Sequence, residues 1–531
     1  MSQSFIACDR EQGMMLPPSL LDWVPGDHLV WTILGSVSEM DLGAFYGAYR
    51  RDGHGRPAYD PAMMIALLLY AYANGYRSSR GIERKCREDV AFMVITAQRA
   101  PDHSTIAEFR RRHETALAGL FTGVLTLCKE AGLVTVGVIA VDGTKISANA
   151  GRDANKSYRR IVHEILEEAE QTDLAEDEQH GDRRGDELPQ EMRSPEGRRA
   201  AFRAAKQRLD RKGDGDNGDG DSAVVDEDAV GESDREADAD GSAAPGLEFD
   251  TEAIVARVKG RDGWLQDARR QLTARREQDA RAVPRARGDR LLESARRLEQ
   301  DHAGEVQANR AYEAYRAQGR MKNGRRFGAP PKPYQPPAQP EGYINTTDPD
   351  SRVMKTVGQP GKQGYNAQAA VNENQIIIAA EIADSSPDFG NLELMVTATE
   401  RELEAVGITQ LPGVVVADPG YWHTEQMEGI VSRGMQVLIP PESRLRDGPR
   451  VGWDGGYYAF MRRVLDTDHA QAIYKKRQAT VEPVFGQIKH NRGIDRFQRR
   501  GRSAVRSEWR LAAATHNLLK LHTHQIATAG P

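Results

Sequence analysis

Three carboxylates in this chain sit where carboxylates are unexpected. Asp142 follows the β-branched run VTVGVIAV and precedes Gly143, and Asp418 follows LPGVVVA and precedes Pro419-Gly420. An aspartate one step beyond the core of a buried strand is costly unless it is paired, hydrogen-bonded or bound to a cation. Asp-Gly is also a strong hairpin-turn signal, so Asp142 alone leaves both readings open. Glu482 lies in YKKRQATVEPVFGQIKHNRG, where ten Lys/Arg between Lys475 and Arg506 stand against two acids, Glu482 and Asp495. If Gln478 to Lys489 is helical, Glu482 shares a face with Gln478, Phe485, Gly486 and Lys489. A lone acid in a basic field suits a metal ligand facing phosphates; the plain alternative is a Glu-Lys pair on a solvated helix. Three convergent carboxylates repel one another unless cations lie between them. Two Mg²⁺ ions are the usual answer for in-line attack at a phosphodiester, whereas a glycosidase needs two carboxylates and prefers an aromatic cleft. The cationic surroundings of Glu482 fit phosphate.

The elements around these residues read as a mixed α/β sheet. Val134–Val141 predicts a buried strand, GYNAQAAVNENQIIIAAEIADSS a hairpin turning at Asn372–Asn374, and Leu392–Val406 an amphipathic helix. LPGVVVA predicts a fourth strand, His423–Gly434 a helix, MQVLIP a fifth strand, and SEWRLAAATHNLLKLH a closing helix. If the first and fourth strands are neighbours, Asp142 and Asp418 meet at one sheet edge, where a helix can bring Glu482.

Residues 1–130 read as an all-α domain. Helices are expected over Leu20–Val37 and Tyr59–Gly75, from Ser78-Ser79, and after a capping box at Thr105–Glu108. Arg77, Arg80, Arg84, Arg110, Arg111 and Arg112 on these helices suit either a DNA-end-binding face or solvated surfaces. Residues 151–340 form a long charged insertion. Helices are expected at 157–175, 198–212, 252–280 and 289–318, and the segment 213–250 is too acidic and too poor in apolar groups to order. A proline-rich connector follows at 330–340. From Gly213 to Glu252 there are fifteen acids and one base, so the net charge of −6 hides a surplus of +8 elsewhere, which suits a polyanionic partner. The DGDNGDGD run lacks the EF-hand spacing. Cys8, Cys86 and Cys128 match no zinc spacing and point to a reducing, cytoplasmic setting. No basic segment followed by an apolar core opens the chain, and the apolar run Met63–Tyr72 is short for a membrane span, so neither secretion nor a membrane partner is expected.

The motifs IAVDGTKISANA, GYNAQAAV, VVVADPGYW and VEPVFGQIKHNRG together resemble the DDE-class transposases of bacterial insertion sequences. The stretches GRPAYDPAMMIALLLYAYANGYRSSRGIERKCREDVAF, PDHSTIAEFRRRH and INTTDPDSRVMKT resemble one branch of that family. The resemblance implies a ribonuclease-H-like catalytic domain over 131–150 and 341–524, preceded by a helical domain for DNA ends. Its catalytic and metal-binding triad falls on Asp142, Asp418 and Glu482, with two Mg²⁺ ions and Mn²⁺ as a substitute. A related Tyr-Arg-Glu-Lys signature meets Tyr474, Arg477, Glu482 and Lys489, with one residue too many between Arg477 and Glu482. Lys489 and Arg492 are expected at phosphates, with Arg477, Tyr474 and Lys145 as lesser DNA contacts. Trp422 is expected either to stack on an extruded base or to pack in the core. His103 and His423 are left out because hard cations prefer oxygen. The implied partners are double-stranded DNA, as terminal inverted repeats and target, and a second copy of the chain in the DNA complex. The implied reaction is metal-dependent cleavage at the repeats and transfer of the freed 3′-hydroxyl, in a cytoplasmic protein associated with the nucleoid when on DNA. A nuclease that cuts without joining and an inactive DNA-binding remnant are the alternatives.

Overall fold

The computed structural model describes residues 19–49, 57–180, 284, 286–319, 321–322, 325–326, 333–356, 359–383, 386–442 and 455–529. The segment 213–250, the DGDNGDGD run, Cys8 and the helices expected at 198–212 and 252–280 lie outside them. The described chain divides into two compact units. The smaller holds residues 159–180 and 303–336 among those described, including most of α8 (Tyr158–His180) and the end of α9 (Arg287–Gln318), followed by the two-residue strands β3 (Met321–Lys322) and β4 (Arg325–Arg326). Within it Asn309 Nδ2 donates to Tyr334 O at 3.2 Å.

The larger unit has a mixed α/β fold. Its helical part comprises α1 (Leu29–Ser38), α2 (Gly43–Tyr46), α3 (Pro61–Ala73), α4 (Ser79–Glu88), α5 (Val90–Thr96), α6 (His103–Arg112) and α7 (Glu114–Glu130). Asp60 caps α3 by accepting from Ala62 N, and Pro61 takes the first helical position, where a missing N–H costs nothing. Ser78 likewise caps α4 through Gly81 N. Some boundaries differ from expectation. The helix expected from Leu20 begins at Leu29, because Pro25-Gly26 separates it from a single 3₁₀ turn at Leu20–Asp22. Asp102, not Thr105, caps α6, its carboxylate accepting from Thr105 N at 2.7 Å. His113 then divides α6 from α7 where one helix was expected.

The sheet has six strands: β1 (Val138–Ser147), β6 (Arg352–Thr356), β7 (Gln359–Asn372), β8 (Ile377–Ala383), β9 (Val414–Ala417) and β10 (Gln436–Leu438). Their order is β10-β9-β1-β7-β6, with β8 also pairing β7. β10, β9 and β1 run parallel, and β7 is antiparallel to β1, β6 and β8. The hairpin expected at Asn372–Asn374 is the β7–β8 turn. Every residue of β8 is buried, since α10 (Leu392–Ala405) and α14 (Arg502–Ala529) both lie against it. Two short strands, β2 (Asn155–Ser157) and β5 (Tyr343–Asn345), pair antiparallel within this unit. The DPD of INTTDPDSRVMKT is structural. Asp348 accepts from Tyr365 OH at 2.8 Å, and Asp350 pairs with Arg297.

α14 joins the two parts of the unit, lying against α1, α3, α7 and β8. Two arginines expected on a DNA-facing or solvated surface instead sit inside this junction, each 8% exposed: Arg77 and Arg110. Arg77 Nη2 donates to Gly493 O at 2.9 Å and its Nη1 to Arg496 O, and Arg110 Nη1 donates to Arg77 O at 2.7 Å. Carbonyls of a buried loop need donors, and a guanidinium carries five. Arg80, Arg84, Arg111 and Arg112 remain exposed.

His516 on α14 is buried, its ring Nε2 2.9 Å from Gln375 O. Burial, then the charge of Arg492, lowers its pKa to about 3. Between about 6.5, its ordinary value, and about 3, the unfolded chain therefore binds a proton that the folded chain refuses. Stability should fall as pH drops through that window. His516→Gln should lower the melting midpoint at pH 7 but lose less than the parent on acidification to pH 4.5; parallel losses in thermal melts would refute this.

Candidate active site

β1 and β9 lie side by side in parallel register, ending at Val141↔Ala417, so Asp142 and Asp418 follow as neighbours on one face. The apolar runs before them are buried, which places both carboxylates at the edge of the core. At Asp418 the strand ends: the side chain caps a 3₁₀ turn, Pro419–Tyr421, accepting from Gly420 N at 2.8 Å. At Asp142 it does not. β1 continues along β7 to Ser147, so Asp142-Gly143 is neither a strand end nor a hairpin turn but a mid-strand position where the parallel neighbour stops.

After α11 (Thr424–Ser432) and α12 (Gly456–Leu465), α13 (Asp468–Gly486) crosses this face, anchored by the buried Val481, Val484 and Phe485. Pro483 within it leaves Ala479 O without its helical donor; Gln375 Nε2, from the β7–β8 turn, supplies one at 2.8 Å. The helix expected to run to Lys489 changes at Gly486 into a π turn over Gln487–Asn491. The wider turn re-aims the residues beyond it. Lys489 thus points at β1, its Nζ 3.1 Å from Thr144 Oγ1, two residues along from Asp142 on the same face.

Arg477 brings the carboxylates together. Its Nη1 lies 3.0 Å from Asp142 Oδ2 and its Nη2 3.5 Å from Glu482 Oε1. The Asp142 pKa is raised to about 6, by burial first; Arg477 opposes that rise, and the charges of Asp418 and Asp388 add to it. Asp418 is raised too, by burial and then by Asp388, with Arg477 and Lys145 opposing. Glu482 is half exposed, with 51% of its side chain open. Among the described residues no three His, Cys, Asp or Glu gather tightly enough to enclose a metal ion, and Asp142 and Glu482 sit on opposite arms of one guanidinium. The donor set is all oxygen, and two crowded aspartates require positive charge beside them. Both properties fit a hard divalent cation such as Mg²⁺.

Three expected DNA contacts are placed otherwise. Arg492 is 6% exposed and its Nη1 donates to Ala512 O and Thr515 Oγ1, so it braces α14 from within and presents no surface cation to a phosphate. Burial lowers its pKa to about 10. Trp422 is 5% exposed and stacks on Tyr458 at 5.0 Å, a core position closed to an incoming base. Lys145 points away from Asp142 and pairs with Asp388 at 2.9 Å. Tyr474 lies one helical turn before Arg477, half-buried. Sequence reasoning missed the groups behind β1: Asn366, Gln368 and Asp388. Their signal was present in GYNAQAAV, where two amides alternate on a strand too apolar to carry them without partners.

A transposase domain (DUF772) matches residues 18–112, and a transposase DDE domain matches residues 456–522. Two separate segments of the chain thus match transposase domain families. The DDE match spans Arg477, Glu482 and Lys489 on α13 and its π turn; Asp142 and Asp418 lie outside it. No curated protein and no solved structure matches the chain. No helix among the described residues is long and apolar enough to cross a membrane.

A Cβ on Gly143 would lie 2.2 Å from Gln368 Nε2 and 2.6 Å from Asp388 Oδ1. Gly143→Ala should therefore destabilise the fold by about 1–3 kcal/mol through overpacking. Thermal or urea unfolding of the full chain checks this, and an unchanged midpoint would refute it.

Proposed function

We propose that this chain is an insertion-sequence transposase that cuts DNA at the terminal inverted repeats of its element and joins the freed 3′-hydroxyl to target DNA. The observation that carries the reading is the parallel pairing of β1 and β9, which sets Asp142 beside Asp418 under the helix bearing Glu482, in a chain whose residues 18–112 and 456–522 match transposase domain families. The mixed sheet, with its antiparallel β7 and β8 beside parallel β1, β9 and β10, supports a ribonuclease-H-like catalytic domain.

Asp142, Asp418 and Glu482 would hold divalent cations, Mg²⁺ with Mn²⁺ as a substitute, which supply Lewis acidity to the attacking and leaving oxygens of a phosphodiester. The chain's own groups do the positioning. Arg477 keeps Asp142 ionisable against the pull of burial and of its neighbouring carboxylates. Lys489, half-buried beside Thr144, offers an ammonium to a backbone phosphate in line with the aspartates. Burial lowers the Lys489 pKa, so part of its hydration is already removed before an anion arrives. Arg477 reaches Asp142 of β1, and Tyr474 lies one turn before it on α13, which packs on the sheet. Rate enhancement would come from placement and electrostatics. Of the six arginines expected on a DNA-facing surface, Arg80, Arg84, Arg111 and Arg112 are exposed and open to DNA ends. Double-stranded DNA and a second copy of the chain are the proposed partners, in the cytoplasm.

Asp142→Asn, Asp418→Asn and Glu482→Gln should each slow nicking of the element's own terminal repeats by about 10³-fold or more, matching the several kcal/mol that metal electrostatics supplies. Binding to the same DNA should change little. Labelled repeat ends incubated with Mg²⁺ and target plasmid read both steps. Joined product supports the transposase reading, nicking without joining supports a nuclease, and full activity in any of the three variants overturns the triad.

A further inference from the structure

One carboxylate at this end of the sheet belongs to none of the roles above. Asp388, in the loop between β8 and α10, accepts from three side chains at a single oxygen: Lys145 Nζ, Asn366 Nδ2 and Gln368 Nε2, each 2.9 Å from Oδ1. Gln368 in turn accepts from Tyr421 OH, three residues beyond Asp418. One carboxylate thereby ties together β1, β7 and the turn that follows β9.

The two segments that carry the aspartates leave room for it. Each aspartate is followed closely by glycine, Asp142-Gly143 and Asp418-Pro419-Gly420. A Cβ on Gly143 would fall 2.6 Å from Asp388 Oδ1, and one on Gly420 would come 3.7 Å from Asp388 Cβ. Side chains alternate along β1, so Gly143 and Lys145 face the side opposite Asp142 and Thr144. Asp388 therefore occupies the back of the strand at the level where Asp142 occupies the front. Asn366 and Gln368 are fully buried, and the ammonium of Lys145 balances the charge. Charge-assisted hydrogen bonds of this kind are short and directional, which suits a hub that holds geometry.

We propose that Asp388 is a positioning residue: its bonds to Lys145, Asn366 and the Gln368–Tyr421 pair set the separation and orientation of Asp142 and Asp418 from behind the sheet. The proposal rests on the reading of those two aspartates as cation ligands. Groups that orient ligands from one layer back are worth about 10- to 100-fold in metal affinity or activity.

The full-length chain with Asp388→Ala, Asp388→Asn and Lys145→Met tests this by two measurements. Mn²⁺ affinity is measured calorimetrically without DNA, and single-turnover nicking is measured on terminal-repeat DNA. Asp388→Ala should weaken Mn²⁺ binding and slow nicking, each by about 10- to 100-fold, with repeat binding unchanged. Asp388→Asn, which keeps an oxygen acceptor for the three donors, should recover most of both, and Lys145→Met should show a smaller loss in the same direction. Thermal melts identify any variant that fails to fold, and the Asn variant then decides by its Mn²⁺ affinity, which must stay near that of the parent. A folded Asp388→Ala with parental Mn²⁺ affinity overturns the proposal, as does an Asn variant no better than Ala. A parent chain that binds Mn²⁺ but nicks no repeat overturns the transposase reading alone, because the Mn²⁺ comparison still decides the role of Asp388.

Discussion

Two carboxylates set side by side at the edge of an apolar sheet cannot both carry charge without a cation beside them, and much of the larger unit is arranged around that constraint. Parallel pairing of β1 and β9 creates the problem by delivering Asp142 and Asp418 to one place. Arg477 offsets it from the front, spanning Asp142 and Glu482, and Lys145 adds positive charge from behind. Burial first, and then the charges of Asp418 and Asp388, still hold the Asp142 carboxyl above the usual range against the pull of Arg477. A site crowded with acids favours cations. Beside Thr144, two residues along β1 from Asp142, Lys489 places a further ammonium on the same face.

The helix that carries this chemistry is itself held by unusual backbone. Pro483 frees a carbonyl, Gln375 claims it, and Gln375 also accepts from Lys520 at 2.6 Å and lies against His516. The β7–β8 turn, α13 and α14 thus meet at one residue. On the other flank Gly75 has a positive φ of 79°, and a Cβ there would lie 2.7 Å from Arg492 O, so the helical part approaches the chain just past the π turn at backbone contact distance. Arg77 then bonds to Gly493 O and Arg496 O in the same loop. Helices 400 residues earlier in the chain thereby help define where Lys489 can be.

The fold and the aspartates were legible in the sequence because each signal was local. A β-branched run ending in Asp reads the same whatever its neighbours, and Asp60-Pro61 or Ser78 starts a helix by chemistry confined to one turn. What was lost depended on partners distant in sequence. Arg77 and Arg110 look like surface charges until the carbonyls of residues 493 and 496 come beside them. Arg492 and Lys489, three residues apart in one basic run, part ways because a π turn sends one inward and the other to β1. Asp388 sits in SSPDFG, where an acid is ordinary turn chemistry; only the buried amides of β7 reveal that it has work elsewhere. Trp422 suits a base stack or a core position by its own chemistry, and the ring of Tyr458 against it makes it core.

The small β2–β5 pair has a consequence of its own. It joins the backbone at Ser157↔Tyr343, and the first part of α9, itself within the larger unit, adds side-chain ties: Arg297 pairs with Asp350, and Glu299 accepts from Tyr158 OH at 2.6 Å. The excursion between Tyr158 and α9 is thus clasped at both ends. Lengthening an excursion whose ends are already clasped costs little, about 0.6 kcal/mol of closure entropy for each doubling. A chain built this way can therefore take up added residues between its clasps at small cost to the arrangement of strands.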